Sequence, residues 1–317
     1  MTTAGKAPVK AHPGFLSRLS RDYKMHKWKY VLIIPVLVYL ALFCYKPMYG
    51  LIIAFKNYRP GQKIADADWI GLKQFITFFK DVYFVRLISN TFIISGLNIL
   101  FGFPAPILLA LLLNEIKSSG FKRTVQTITY MPYFISLVVT CSLIKIYSRE
   151  DGLFTNIVVM FGGQRQNLLI NPAMFRPLYI ITGIWQNIGW NSIIYLAALA
   201  GIDQEQYEAA RIDGANRLKQ MIHITLPGIL PTIMILFILR MGSILNVGYE
   251  KILLMYTSNT YSVADVISTY TYRKGITDNP PQYSFSTAVG LFNTIVNVCF
   301  LLVTNYISTK TTESGLF

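Results

Sequence analysis

Six long apolar stretches restrict the fold of this 317-residue chain more than any other feature of its sequence. The hydrocarbon core of a bilayer is about 30 Å thick, so a helix that crosses it needs about 20 mostly apolar residues. The stretches that meet this requirement cover residues 30–51, 90–113, 125–147, 178–200, 227–247 and 285–307. We therefore predict an all-α polytopic membrane protein with six transmembrane helices in a domain that covers residues 30–317.

Charge content and placement support this prediction. Charged residues make up 14% of the chain, against about 25% in an ordinary soluble domain. The net charge of +14 does not indicate nucleic-acid binding, because its largest concentration is a leader at residues 1–29 with seven cations and one anion, Asp22. The positive-inside rule places this leader in the cytoplasm, and six spans return the C-terminus to the same side. Residues 15–30 suit either an amphipathic helix on the anionic inner leaflet or a solvated leader.

Motifs for covalent chemistry are missing from the sequence. The three cysteines, Cys44, Cys141 and Cys299, stand alone in apolar stretches without metal-ligand or redox spacing, and we predict no metal site. The chain also lacks a G-x-x-x-x-G-K-[ST] phosphate loop and the common hydrolase motifs. We therefore predict that it is not an enzyme and that any ATP hydrolysis belongs to another polypeptide.

The clearest local pattern lies between the fourth and fifth predicted spans, at residues 201–227. Asp203 is a helix N-cap, and Gln206 follows three residues later, as in a capping box. Good helix formers come next, and Gly214 has the permissive backbone needed for a helix stop and a sharp turn. We predict a short helix, a turn and a second short helical pattern that leads through Pro227 into the next span.

This segment resembles the cytoplasmic EAA loop of binding-protein-dependent ABC importer permeases. The resemblance rests on Glu208-Ala209-Ala210, Asp213-Gly214-Ala215 and Ile224-x-Leu226-Pro227 at matching spacing. It implies the MetI-like permease fold, with no cofactor on this chain and with ATP and magnesium held by a partner ATPase. It also implies that this cytoplasmic loop is the coupling helix that docks on the ATPase, through Glu208, Ala209, Ala210, Asp213 and Gly214.

Further stretches look like the carbohydrate branch of this family, and more narrowly like its LplB-type polysaccharide or oligosaccharide permeases. They are residues 45–56, 185–191 and 246–250. The resemblance implies a bacterial plasma-membrane importer of an oligosaccharide, with a second, different permease subunit, cytoplasmic ATPase subunits and an extracellular solute-binding protein. The predicted outer segments, 52–89, 148–177 and 248–284, are too short for a solute-binding domain, which agrees with a separate receptor.

Polar side chains inside predicted spans mark a candidate path for the solute, because such groups are costly in lipid and usually face the bundle interior or a watery cavity. Tryptophan suits the C–H faces of a sugar and amides suit its hydroxyls. The candidates are Trp185, Gln186, Asn187, Trp190, Asn191, Arg240, Asn293 and Asn297. Interfacial anchoring and interhelical bonding would explain the tryptophans and amides equally well, and Arg240 suits either an acidic sugar or a structural cation.

Three other functional classes remain as alternatives. A permease for a non-sugar solute shares the coupling loop. An ion-driven secondary carrier should carry intramembrane acids, but the six predicted spans contain no Asp or Glu. A membrane enzyme should have a clustered acid–base or metal set, which the sequence does not show.

Overall fold

A computed structural model of the chain describes residues 15–312 and 314–316. Residues 1–14, and with them Lys6 and Lys10 of the predicted leader, lie outside the described residues. Throughout the described ranges the chain is helical, and the extended backbone pairs only in an isolated antiparallel bridge between Lys56 and Trp69. The prediction of an all-α protein is confirmed.

The chain divides into two compact units, residues 1–52 and residues 53–317. In the first unit, α1 (Phe15–Tyr39) runs through a π-helical turn (Leu40–Tyr45) into α2 (Lys46–Met48). A 3-10 segment (Tyr49–Phe55) follows and contains the boundary at residue 52. A kink in α1 lies at His26, whose φ and ψ are −125° and 28°. Large apolar side chains along this segment are exposed, Leu32 at 78% for example, which suits a helix surrounded by lipid.

The second unit holds the remaining helices. Two pairs of them are joined without a break by π-helical turns, α4 to α5 through Asn98–Gly102 and α11 to α12 through Met221–Thr225. The helices are α3 (Lys73–Phe79), α4 (Phe84–Leu97), α5 (Pro104–Glu115), α6 (Ser119–Tyr130), α7 (Leu137–Tyr147), α8 (Leu153–Met160), α9 (Pro172–Ala200), α10 (Gln204–Ile212), α11 (Arg217–Gln220), α12 (Leu226–Met241), α13 (Tyr249–Met255), α14 (Tyr261–Ala264), α15 (Ile267–Tyr272) and α16 (Tyr283–Thr312).

Four helices of the described chain are long and apolar enough to cross a bilayer, and each overlaps a predicted span. They are Met25–Phe55, Phe84–Glu115, Arg217–Met241 and Tyr283–Thr312. The predicted fourth span lies in α9, whose apolar sequence is interrupted by Gln186, Asn187 and Asn191. The predicted fifth span was too long at its end, because the helix stops at Met241 and a series of turns follows.

The third predicted span, 125–147, is not one straight helix as expected. The helical segments Ser119–Phe134 and Leu137–Tyr147 meet at an angle of 98°. Pro132 stands in the 3-10 turn between them, where it cannot donate a backbone hydrogen bond. Ser136 then begins α7 as an N-cap, because its side chain accepts a 3.3 Å hydrogen bond from the backbone N–H of Val139. With this bent pair counted as one span, the described chain has up to five apolar spans, and α9 is the remaining long helix.

Three apolar clusters hold the second unit together. One joins α5, α9 and α12 near the end of the bundle that leads into α10, with Ala110, Leu199 and Ile229 at its centre. The other two lie toward the opposite end. Their most buried members are Ile94, Phe175, Ile252, Met255, Ala264 and Val266 in one cluster, and Phe78, Leu87, Leu245, Ile267 and Val289 in the other.

A buried ion pair orders the segment that connects α14 to α16. Arg273 donates two hydrogen bonds, of 2.8 and 2.6 Å, to the carboxylate of Asp265, which is 1% exposed. These bonds raise the pKa of Arg273 above its already high usual range. On α15, burial and a hydrogen bond to Asp81 raise the pKa of Tyr270. The segment outside the spans is therefore held by polar contacts as well as by its apolar core.

Candidate functional site

A cavity of about 800 Å³ opens inside the second unit. Its wall is formed by α9, by the π-helical turn between α4 and α5, by the end of α12, and by the chain from Ser243 to Lys251. Four of the eight predicted path residues line this cavity, and they come from two helices that are distant in sequence: Gln186, Asn187, Asn191 and Arg240. The other four, Trp185, Trp190, Asn293 and Asn297, do not line it.

The three amides on α9 differ in how far the protein already uses them. Gln186 is 9% exposed and donates to the carbonyl of Ile135 and to Oγ1 of Thr140, both at 3.3 Å, so it ties α9 to the bend between α6 and α7. Asn187 donates to the Gly183 carbonyl of its own helix at 2.9 Å. Asn191 is exposed and bonds to none of the described residues. The free hydrogen-bonding capacity of this wall therefore lies mostly on Asn187 and Asn191.

Tyr133 is an aromatic residue of the cavity wall that was not among the predicted path residues; Phe103, Tyr179, Tyr195 and Tyr249 also line the wall. The Trp190 ring stacks on Tyr133 with centroids 4.5 Å apart and planes 2° apart, and Phe134 meets Trp190 edge-on at 5.8 Å. Trp190 therefore stands behind Tyr133 as its support. Trp185 is 47% exposed and lies outside the cavity wall. No sequence signal distinguishes Tyr133 from neighbouring aromatics, because only the 98° bend brings it against α9.

The two asparagines on α16 also act from behind the wall. Asn293 and Asn297 donate to Oδ1 of Asn246 at 3.0 and 3.3 Å, and Asn297 accepts from the backbone N–H of Leu245 at 2.9 Å. Asn246 itself lines the cavity. Asn293 and Asn297 therefore orient Asn246, which was not itself a predicted path residue.

The charged residues of the cavity wall, two cations and one acid, lie where α12 ends and α13 begins. Arg240 lies in the last turn of α12, and Glu250 and Lys251 lie in the first turn of α13; all three line the cavity. Lys251 is only 7% exposed, and its ammonium group donates to the Tyr179 carbonyl at 3.0 Å and lies 4.8 Å from the Tyr179 ring centroid. The sequence places Lys251 just beyond the fifth predicted span, at the outer mouth, where it could meet a solute-binding protein or be solvated; its burial differs from that expectation.

The loop between α9 and α12 forms the predicted N-cap and glycine stop, although the described residues include no capping-box bond from Gln206 to Asp203. Asp203 caps α10 by accepting a 3.0 Å hydrogen bond from the backbone N–H of Glu205. Gly214 has a φ of +73°, a value that favours glycine. Around it the N–H of Ala215 donates to the carbonyl of Ala210 at 2.8 Å, as in a Schellman C-cap. The N-cap and the glycine stop are both confirmed.

The predicted contact residues of this loop present an open surface. Ala210 is half-buried, and the others are exposed: Glu208, Ala209, Asp213 and Gly214. Beside them the apolar side chains of Ile212 and Leu218 are 87% and 58% exposed, although neither was a predicted contact residue. Apolar side chains flanked by acids on a small-residue helix form a surface suited to another protein.

The loop is also tied to the spans on both sides. The Tyr207 hydroxyl lies 2.9 Å from Oγ1 of Thr225, just before α12, and Arg217 forms a 3.0 Å ion pair with Glu115 at the end of α5. From Arg217 the helix continues without a break to Met241, one residue beyond Arg240. A displacement of α10 would therefore act on the helix that carries a cavity residue.

Comparisons with known proteins agree on one family. Residues 102–313 match the model described as "Binding-protein-dependent transport system inner membrane component". The chain is 43% identical to Protein LplB of Bacillus subtilis (strain 168) over 316 residues, 99% of this chain and 96% of that one. It is also 43% identical over 292 residues to the polygalacturonan/rhamnogalacturonan transport system permease protein YteP of the same organism, covering 92% and 90% of the two chains.

Solved structures give the same result. A chain in the crystal structure of a bacterial alginate ABC transporter, in complex with alginate pentasaccharide-bound periplasmic protein, superimposes with a TM-score of 0.85. Its sequence identity to this chain is 43%, and the match covers 94% of this chain and 100% of the other.

Proposed function

The chain belongs to the family of binding-protein-dependent transport system inner membrane components. We propose that it is the permease subunit of an ATP-driven oligosaccharide importer, in which the cavity and the exposed surface of α10 have separate roles. The cavity passes the sugar, and the exposed surface of α10 receives the motion of a separate ATPase. Membership in this family and likeness to sugar permeases confirm that the chain is a membrane-spanning permease of the ABC-importer type, as the EAA loop predicted.

The observation that carries the proposal is the continuous helix from Arg217 to Met241. It begins directly after the exposed loop and ends beside Arg240 on the cavity wall. A helix transmits displacement along its axis because its backbone hydrogen bonds are internal. Movement of α10 against an ATPase would therefore change the side of the membrane to which the cavity opens. Such a change is a switch between two packed arrangements of the helices.

The cavity wall has the chemistry that a saccharide requires. The Tyr133 ring, backed by Trp190, offers a flat surface for the C–H face of a sugar ring. The amides of Asn187 and Asn191 offer donors and acceptors for hydroxyl groups. The relatives support the same substrate class, since one is described as a polygalacturonan/rhamnogalacturonan permease and another as part of an alginate transporter.

Partners follow from this role. We infer a second permease subunit, different from this one, that completes the path; cytoplasmic ATPase subunits that hold ATP and magnesium; and an extracellular receptor that delivers the oligosaccharide. The structure of the alginate transporter with a periplasmic protein supports the inference of a receptor. We place both termini in the cytoplasm of a bacterial cell, on the strength of the basic leader.

The alternatives receive less support. A permease for a non-sugar solute would share the coupling loop, but one of the two 43% identical relatives is described as a polygalacturonan/rhamnogalacturonan transport system permease protein. An ion-driven carrier would need acids within its spans, and Glu250, at the end of the cavity, is the one acid among the described cavity-lining residues.

The coupling role is tested by changing the turn after α10. Gly214→Pro cannot adopt a φ of +73°, because proline holds φ near −65°, whereas Gly214→Asn accepts the left-handed region with little strain. We expect the proline variant to lose receptor-stimulated ATP hydrolysis in the purified complex and the asparagine variant to keep it. The amount of ATPase subunit that copurifies reports docking. Equal binding and coupling in the proline variant would show that this loop is not the coupling element.

A further inference from the structure

The cavity wall carries more positive than negative charge. Among its described lining residues, the cations are Arg240 and Lys251 and the only carboxylate is that of Glu250. Within the described residues neither cation lies in an ion pair, and Glu250 is exposed. Elsewhere in the same chain the buried charge of Asp265 is matched by two hydrogen bonds from Arg273. The cavity therefore differs from this ion pair in that its two cations have no carboxylate partner among the described residues.

Lys251 shows this imbalance most clearly. It is 93% buried, since 7% of its surface is exposed, yet among the described residues its ammonium group contacts only one carbonyl and one ring face, both of Tyr179. An ammonium group has three donors, and a buried charge without a counter-ion is strongly unfavourable. The Tyr179 contacts fix its position but do not neutralise it. An anion in the cavity would supply the missing counter-charge.

Arg240 adds a second, complementary donor. Its guanidinium group carries five N–H donors in a planar fork, and none of them is hydrogen-bonded to the described residues. The last turn of α12 stabilises a cation through the helix dipole, which explains how the residue is tolerated there. The helix dipole does not use the N–H donors of the guanidinium group, which can bind a carboxylate through two parallel hydrogen bonds.

We propose that Arg240 and Lys251 select acidic saccharides within the translocation path, by binding the carboxylates of uronic-acid units as these pass the cavity. This inference rests on the proposed function and adds a specificity to it. The neutral part of each unit meets Tyr133 and the amides of Asn187 and Asn191, and the carboxylate meets the cations. Selection for charge then occurs in the membrane as well as at the receptor.

The test compares two substrates that differ only in charge. Oligogalacturonate and its carboxyl-reduced, neutral counterpart of the same length are offered to the complete importer in proteoliposomes, and ATP-driven uptake is measured for each. The variants are Arg240→Gln and Lys251→Met, with Arg240→Lys to retain the charge. Arg149→Gln and Lys80→Gln, at exposed positions outside the cavity, are the matched controls.

We expect Arg240→Gln and Lys251→Met each to lower the ratio of acidic to neutral uptake by about tenfold or more, as for loss of one charge-assisted contact. Arg240→Lys should restore part of the ratio, and the two controls should leave it unchanged. Because the ratio is independent of how much protein folds, poor expression of a variant does not affect the result. If the variants lower acidic and neutral uptake equally, the cations have a structural role and do not select for charge, and the proposal is wrong.

Failure of the proposed function gives a different result. If the parent importer moves neither substrate, nor an oligomannuronate pair prepared in the same way, the assignment to saccharides fails. If the parent prefers the neutral member of either pair, saccharide import stands and the charge selection is refuted.

Discussion

Helices α6 and α9 approach each other closely at Gly189, which has no side chain to separate them. A Cβ added at Gly189 would lie 2.8 Å from Cδ1 of Tyr130 and closer still to the backbone carbonyl of Thr129. Real Cβ atoms essentially never come within 3.0 Å of such neighbours. Gly189→Ala therefore cannot be accommodated by turning a side chain, and α6 must move away from α9.

The size of the effect follows from this geometry. Non-bonded atoms pack at about 3.5–4.0 Å, so the two backbones must separate by about 1 Å. Overpacking of this kind costs about 1–3 kcal/mol in the free energy of unfolding. The same displacement would loosen the stack of Tyr133 on Trp190, one residue from Gly189, and the hydrogen bond from Gln186 to Ile135. We therefore expect both stability and transport to fall.

Matched glycines in other helices control for the loss of glycine itself. Gly96 and Gly290 lie in α4 and α16, and a Cβ at either would meet nothing within 4 Å. Alanine at these positions should be neutral or stabilising by up to about 1 kcal/mol, because alanine is the better helix former. The assays are thermal unfolding of the purified complex in detergent and uptake in proteoliposomes. If Gly189→Ala is as stable and active as the two controls, the inferred close contact of α6 and α9 is wrong.

Two further predictions concern the polar contacts outside the spans. Arg273→Met should lower the free energy of unfolding by about 3–5 kcal/mol, because it leaves the buried carboxylate of Asp265 without its counter-ion. Arg217→Met breaks an exposed ion pair with Glu115 and should lower it by at most about 1 kcal/mol. Equal shifts of the unfolding temperature in the two variants would contradict this prediction. Since folding raises the pKa of Tyr270, its contribution to stability is present below pH ~10 and lost as the pH rises further, so Tyr270→Phe should flatten the alkaline fall in unfolding temperature. An unchanged profile between pH 9 and 12 would refute that linkage (roughly the range in which tyrosine titrates).

Local features were predicted well because local sequence determines them. Asp203 caps α10 and Gly214 ends it, since an N-cap and a positive φ depend on residues within a few positions of each other. The apolar spans were found for a similar reason: bilayer thickness sets their length, whatever their neighbours are. The bend at Pro132 was missed although proline is a known helix breaker, because the apolar residues continue on both sides of it.

The cavity could be predicted only in part. Gln186, Asn187, Asn191 and Arg240 were found because a polar group in a span needs a partner or water. The same rule also selected Asn297, which is buried and serves to orient Asn246. Hydrophobic pattern alone does not distinguish a polar group that lines a cavity from one that bonds another helix.

The sequence by itself therefore determined the membrane class, the approximate spans, the local fold of the loop between α9 and α12 and, through the motif in that loop, the family. These depend on length, composition and short-range spacing. Only the tertiary structure decided which polar groups line the same cavity, because its wall combines residues of α9, α12 and α13 that are far apart in the sequence, such as Asn187, Arg240 and Lys251. It also decided that Lys251 is buried with no counter-ion among the described residues while Asp265 has one, and that difference depends on how helices distant in sequence pack together.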